Sequence, residues 1–300
     1  MVSLFKSMVA MLGLGLGGLL SRLPLRLQRN CAAAIGAIAY RVAVGRRRIA
    51  QTNLGICFPE WSEAQRTEVT KLFFRRFSTA LFDLFWLWRA PQQEIIRRVQ
   101  VSGLEHLQAA DSCALGPVIV LAPHFLGIDA GGTRLQIDRV LVCLYSNQSI
   151  PVIDRWVLQG RNRFANAILI SRREGIGRLA RILRAGTAAH FSPDMDFGQD
   201  GAVFAPFFGE PAATPTSLVR LARMAKATVV PMVTRLTPEG YEARFYPGWR
   251  YDESEDQDLA ACVTDLNRKI EGWIREDPSQ YLWTHRRFKT RPPGLPSVYS

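Results

Sequence analysis

The stretch VIVLAPHFLGIDAGG, Val118 to Gly132, sets the reading of the whole chain. Val118 to Ala122 is a run of β-favouring apolar residues, and Pro123 closes it, since proline cannot continue a central strand. A helix is expected to begin near Leu126. Short apolar runs recur in PVIVLAP, RVLVCLYS, NAILIS, TAAHFS and ATVVPMV. Runs this uniformly apolar fit strands covered on both faces. Between them, GIGRLARILRAG puts Ile176, Leu179, Ile182 and Leu183 on one stripe, with Gly186 as its C-cap. ATPTSLVRLARMAKA reads as a helix with Thr214 as N-cap and Pro215 at the first helical position. Alternating β and α elements predict an α/β layered fold with a mainly parallel sheet.

Ligands of such sheets gather at the carboxyl ends of the strands, where His124 stands. In one continuous helix, residues five apart sit about 140° apart around the axis, so His124 and Asp129 could not pair easily there. With His124 in the turn before the helix, a first-turn Asp129 can reach back, fix the imidazole tautomer and leave the other nitrogen basic. A base oriented by a carboxylate is what deprotonating an alcohol near neutral pH requires. The bland alternative is a core histidine beside an ordinary early-helix aspartate.

Three hundred residues, 48% of them hydrophobic, can bury a sizeable core. The formal net charge is +12, and arginine supplies nearly all of it, the lysines being Lys6, Lys71, Lys226, Lys269 and Lys289. Such a chain suits an anionic membrane or an acidic protein partner. Zinc-finger spacing, RRM-type aromatics and a basic helix with heptads are all missing, which disfavours nucleic acid. The cysteines, Cys31, Cys57, Cys113, Cys143 and Cys262, never form C-x-x-C, against a disulfide framework or a zinc site. SMVAMLGLGLGGLL, Ser7 to Leu20, is uncharged and followed by Arg22, Arg26 and Arg29. It reads as a tilted membrane anchor or an interfacial helix, and fits a signal peptide poorly. Arginines on that flank favour a cytoplasmic location for the remainder.

Residues 1–45 are therefore read as the membrane-anchoring or interfacial segment and 46–300 as the catalytic unit. Within the latter, 46–100 is expected to be helical, 101–290 an α/β core and 291–300 a proline-rich tail. TEVTKLFFRRFSTALFDLFWLWRAP should form a helix stopped by Pro91. It is either buried or laid at the lipid interface with Trp86 and Trp88 at headgroup depth.

Several blocks together carry a resemblance. NLGICFPEWSEAQR, VSGLEHL, HFLGID, PDMD, VFAPFFGEPAATPT and QYLWTHRRFKTRP are spread over nearly the full length. The chain resembles the lipid A late acyltransferases, the lauroyl and myristoyl transferases of the lysophospholipid acyltransferase-like group. The resemblance implies a glycerolipid acyltransferase-like fold at the cytoplasmic face of a bacterial inner membrane. It implies transfer of a fatty acyl chain from acyl carrier protein to a hydroxyl of a lipid A precursor. By that similarity His124 is the base of an H-x-x-x-x-D site and Asp129 its orienter. Arg161, with Arg163 nearby, falls at a basic position of the family, and Asp194 and Asp196 carry over from its P-D-x-D. Relatives often read Y-R-P where this chain has YSNQS, Tyr145 to Ser149.

Asp194, Asp196, Arg161, Arg163, Phe208, Gly209 and Thr214 are thus candidate substrate-binding residues. Asp196 also suits an Asx bond that ties the glycine turn, Thr214 a cap, and Phe207 to Gly209 either an acyl-channel wall or core. His106, His190 and His285 read as structural. A metal-binding D-x-D of a glycosyltransferase is disfavoured, because no nucleotide half-domain is recognisable. No metal or organic cofactor is expected, since a thioester is already activated. The other readings are acylation of a different glycolipid or phospholipid, a lipid thioesterase or hydrolase using the same pair, and a non-catalytic membrane-binding protein.

Overall fold

A computed structural model describes residues 2–111, 116–164, 166–171, 174–251 and 258–299, so Cys113 lies outside the described residues. Five helices lead the chain: α1 (Val2–Leu20), α2 (Leu25–Val42), α3 (Val44–Cys57), α4 (Glu63–Leu87) and α5 (Gln92–Arg98). Ser62 starts α4 through a capping box with Gln65, whose backbone N–H donates to the Ser62 hydroxyl while its side chain accepts from the Ser62 N–H. Alternation then sets in, with β1 (Val99–Ser102), α6 (Leu104–Asp111), β2 (Val118–Leu121), α7 (Ile128–Asp138), β3 (Leu141–Tyr145) and α8 (Pro151–Arg161). It continues through β4 (Ala167–Ser171), α9 (Gly175–Arg184), β5 (Ala188–Phe191), β6 (Ala202–Phe207), β7 (Glu210–Pro215) and α10 (Ser217–Ala225). The chain closes with β8 (Thr228–Thr237), β9 (Gly240–Phe245) and α11 (Leu259–Glu276).

The main sheet has seven strands in the order β1-β9-β8-β2-β5-β3-β4, parallel throughout except for the β8–β9 pair. The five apolar runs of the sequence are β2, β3, β4, β5 and β8. Val118 to Leu121 are buried on both faces, as uniform apolarity requires. One large cluster beneath α9, α10 and α11 joins Ile119, Leu121, Leu179, Leu183, Leu221, Val229 and Ile270. A second, with Val118, Val120, Leu135, Leu141 and Val230, fills the α6–α7 side. Gly186, with φ of 94°, lies just past α9 as its capping glycine.

The helix read into ATPTSLVRLARMAKA starts later than its cap signal suggests. Residues 210–215 form β7, paired antiparallel with β6, and α10 begins at Ser217 behind Thr216. Pro215 ends a strand rather than opening a helix.

Trp86 and Trp88 are not at an exposed headgroup level. Both are buried with Leu87, Ile95 and Tyr241, and Trp88 packs against Trp156 of α8 at 4.5 Å between ring centroids. Arg29, read as one of the anchor's flanking charges, is also buried. Its Nη2 lies 2.6 Å from Asp83 Oδ2 on α4, and Nη1 and Nη2 donate to the carbonyls of Thr237 and Gly240 at 2.7 and 3.0 Å. The Tyr241 hydroxyl donates to the same Asp83 oxygen at 2.8 Å. This cluster fixes α2 to α4 and to the β8–β9 turn. Among the described residues, no helix is long and apolar enough to cross a membrane.

Candidate active site

In a parallel sheet, residues equally far past a register-paired position leave neighbouring strands at the same rim. Leu121 of β2 is paired with Phe191 of β5. His124 and Asp194 each come three residues later, so the two turns bring them together. Asp194 Oδ1 lies 2.7 Å from His124 Nδ1, and Asp194 Oδ2 accepts from the His124 backbone N–H at 2.8 Å. The Tyr281 hydroxyl donates to Oδ2 at 3.0 Å. The His124 side chain is 24% exposed and that of Asp194 only 1%. Burial alone would raise the Asp194 pKa. The His124 charge, its ring and backbone bonds and the Tyr281 hydroxyl outweigh it and hold the carboxyl down to about 2.

Asp129 is paired with Arg161 in this structure. It sits in the first turn of α7, and its carboxylate takes Arg161 from the end of α8: Nε to Oδ1 at 2.8 Å and Nη2 to Oδ2 at 3.3 Å. The forked guanidinium matches both carboxylate oxygens, while Asp194 already occupies Nδ1. The spacing argument correctly placed His124 in the turn before a helix. The acid that meets Nδ1 follows a neighbouring strand, 70 residues away, which spacing within one segment does not reveal.

His124, Asp129 and Arg161 line one cavity of about 390 Å³ at the sheet's carboxyl edge. Ile128, Gly132, Thr133 and Gln136 of α7 and Leu169 of β4 form part of its wall. So do Ser146 and Gln148 of YSNQS, a segment held by Asp154, which accepts from the Gln148 N–H at 2.6 Å. His190 lines the cavity as well, so its reading as a purely structural histidine is incomplete.

Several candidates stand elsewhere. Arg163 donates to the carbonyls of Leu87, the last residue of α4, and of Ala90 beyond it, and is not part of the cavity wall. Asp196 accepts from the Gly198 N–H at 2.9 Å, the expected Asx bond, and also from the N–H and hydroxyl of Thr290 at 2.7 and 2.8 Å. It is a latch for the C-terminal segment. Phe208 and Gly209, with φ of 53° and 83°, form the two-residue turn of the β6–β7 hairpin, where Phe208 packs against the core. Thr214 is buried on β7, where its hydroxyl accepts from Arg287 at 2.6 Å. Among the described residues, no group of three His, Cys, Asp or Glu side chains is arranged to hold a metal ion.

Sequence reasoning missed two supports of the site. Tyr281 belongs to the QYLWTHRRFKTRP block and secures Asp194. Asn53 belongs to NLGICFPEWSEAQR and donates to the carbonyls of Trp283 and His285, both at 2.7 Å. His285 in turn accepts the Asp196 N–H at 2.9 Å. Four of the six blocks, those holding Asn53, His124, Asp194 and Tyr281, thus meet around one pair of turns.

Comparison with known proteins agrees with this convergence. The family described as bacterial lipid A biosynthesis acyltransferase matches residues 2–290. The chain is 32% identical to the lipid A biosynthesis lauroyltransferase of Escherichia coli (strain K12), covering 96% of this chain and 94% of that protein. It is 32% identical to that organism's palmitoleoyltransferase over 96% of this chain and 93% of the relative. Its myristoyltransferase is 28% identical over 87% and 81%. A remote likeness links the chain to a solved structure of 1-acyl-sn-glycerophosphate acyltransferase from Thermotoga maritima, at 14% identity and a TM-score of 0.39. That likeness covers 83% of this chain and 97% of the other. With its motifs gathered around the His124 turn and a family match over nearly its full length, the chain belongs to the bacterial lipid A biosynthesis acyltransferases and is an acyltransferase.

Proposed function

We propose that this chain moves a fatty acyl group from acyl carrier protein to a hydroxyl of a lipid A precursor, with His124 as general base and Asp194 as its orienter. The observation that carries the reading is the 2.7 Å contact of Asp194 with Nδ1, which leaves Nε2 to serve the cavity. With the proton held on Nδ1, Nε2 carries a lone pair that takes the acceptor's proton as its oxygen attacks the thioester carbonyl. The tetrahedral intermediate carries a negative oxygen, and Arg161, the cation among the described lining residues, stabilises charge there. Asp129 holds that guanidinium in place. Collapse of the intermediate expels the carrier's thiolate, which recovers the proton from His124.

The same reading places the enzyme on the cytoplasmic face of an inner membrane. Met8, Met11, Leu12, Leu16 and Leu19 of α1 and Leu27, Ile35, Ile38 and Val42 of α2 are exposed. Exposed Arg22, Arg26 and Arg41 accompany them. Apolar side chains with flanking arginines suit helices lying in an anionic interface.

Purified protein is given an acyl-carrier thioester and a lipid A precursor, and products are read by mass spectrometry. One added acyl chain on the acceptor, absent for His124→Ala, is the expected result. Free fatty acid formed from donor alone at the same rate would mark a hydrolase and overturn the reading.

A further inference from the structure

Two residues that line the cavity each carry a buried side-chain atom with no hydrogen-bond partner among the described residues: His190 Nε2 and Gln136 Oε1. His190 lies on β5, four residues before Asp194, and so farther down the strand from the rim. Gln136 lies seven residues after Asp129 on α7, about 10 Å farther along the helix. Both belong to the lining of the cavity that His124 opens onto. Gly132 stands beside the imidazole: a Cβ there would be in ordinary contact with Nε2, at 3.7 Å.

Buried polar atoms are nearly always paired, so two orphans in one wall call for a ligand that pairs them. A saturated alkyl segment would leave both desolvated and unsatisfied. Burial holds His190 down to about 4, so its ring is neutral near pH 7. Neither a neutral imidazole nor an amide oxygen attracts an anion, which disfavours phosphate or carboxylate at this end. A hydroxyl suits both, because its one proton goes to Gln136 Oε1 while its oxygen accepts from the imidazole N–H.

We propose that the inner end of the cavity is a subsite for a substrate hydroxyl, and that His190 and Gln136 are specificity-determining residues. The proposal rests on the reading of this cavity as the substrate site. The hydroxyl is carried either on the acyl chain of the donor or on the acceptor away from the acylated position.

The test uses the full-length protein and the double variant His190→Phe, Gln136→Leu. Replacing unsatisfied polar groups by apolar ones of similar size should leave the thermal midpoint unchanged or raised. Activity is measured as kcat/KM with saturated and 3-hydroxy acyl-carrier donors of equal length, and with acceptors possessing or lacking hydroxyls remote from the acylated one. Wild type should favour one hydroxyl-bearing substrate by about tenfold, as expected from two modest hydrogen bonds. The double variant should lose that preference, its kcat/KM for the hydroxyl-bearing substrate falling to its own value for the deoxygenated partner. A preference that follows the donor assigns the hydroxyl to the acyl chain, and one that follows the acceptor assigns it to the sugar or its acyl groups. Identical selectivity in both proteins across all four substrates overturns the proposal. His124→Ala run in parallel keeps the two questions apart, since its loss of turnover tests the base and leaves the subsite open.

Discussion

Asp194→Asn separates the roles of the two acids near His124. An amide at this position still accepts from the His124 N–H and the Tyr281 hydroxyl through its oxygen. It turns an NH₂ group toward Nδ1, however, where the carboxylate oxygen now sits at 2.7 Å. Nδ1 must then accept, the imidazole proton moves to Nε2, and the cavity side loses its lone pair. A positioned base contributes about 10²–10⁴ in rate, so a loss near 10³ in kcat is expected. That corresponds to about 4 kcal/mol of barrier. Asp129→Asn leaves every bond of His124 in place but loosens Arg161, the group given the oxyanion's charge, so kcat should fall by no more than about tenfold. Single-turnover transfer from an acyl-carrier thioester, with thermal unfolding as the folding control, measures both. An Asp194→Asn enzyme within threefold of wild type, beside a crippled Asp129→Asn enzyme, would refute the assignment and restore the acid suggested by sequence spacing.

Acid should weaken the fold in two stages. Burial holds His190 and His285 down to about 4 against an ordinary 6.5, so the unfolded chain binds protons that the folded one refuses. Their contribution is complete above about 6.5 and is lost as pH falls toward 4, about 3 kcal/mol at the limit for His190. Asp194, held at about 2 against 3.8, contributes above 3.8 and loses that contribution as pH falls further. Urea unfolding at pH 7.5 and pH 5 should show the first stage, and His190→Phe should reduce it; equal stability at the two values contradicts the burial argument. Arg29→Met should cost about 3–5 kcal/mol, because it strands Asp83 as a buried charge, while adding Asp83→Leu should recover most of the loss. A single-variant loss below about 1 kcal/mol in denaturant unfolding would contradict that account.

The strands that build the site were legible because each is a short run buried on both faces, and such runs stand out in composition. β6 and β7 were not, since Thr-Pro before an apolar helix looks the same whether proline ends a strand or opens a helix. His124 could be placed at the rim from Pro123 alone. Its partner could not, because the pairing depends on the register of β2 against β5, a relation between segments distant in sequence. Asp129 was plausible by spacing, and only the position of Arg161 at the end of α8 shows where its carboxylate goes. Trp86, Trp88 and Arg29 carry the same lesson in reverse. Aromatic and basic residues near an apolar N-terminus suggest lipid, yet Arg98 of α5 lies over Trp86, α8 packs on Trp88 and the β8–β9 turn holds Arg29.

The central claim is that His124 takes the acceptor's proton. The most direct measurement is the single-turnover rate of acyl transfer by His124→Ala against wild type, with folding and vesicle binding checked on the same preparations. A fall of at least about 10³ with both controls unchanged is the predicted result. Transfer within tenfold of wild type would remove His124 from the chemistry.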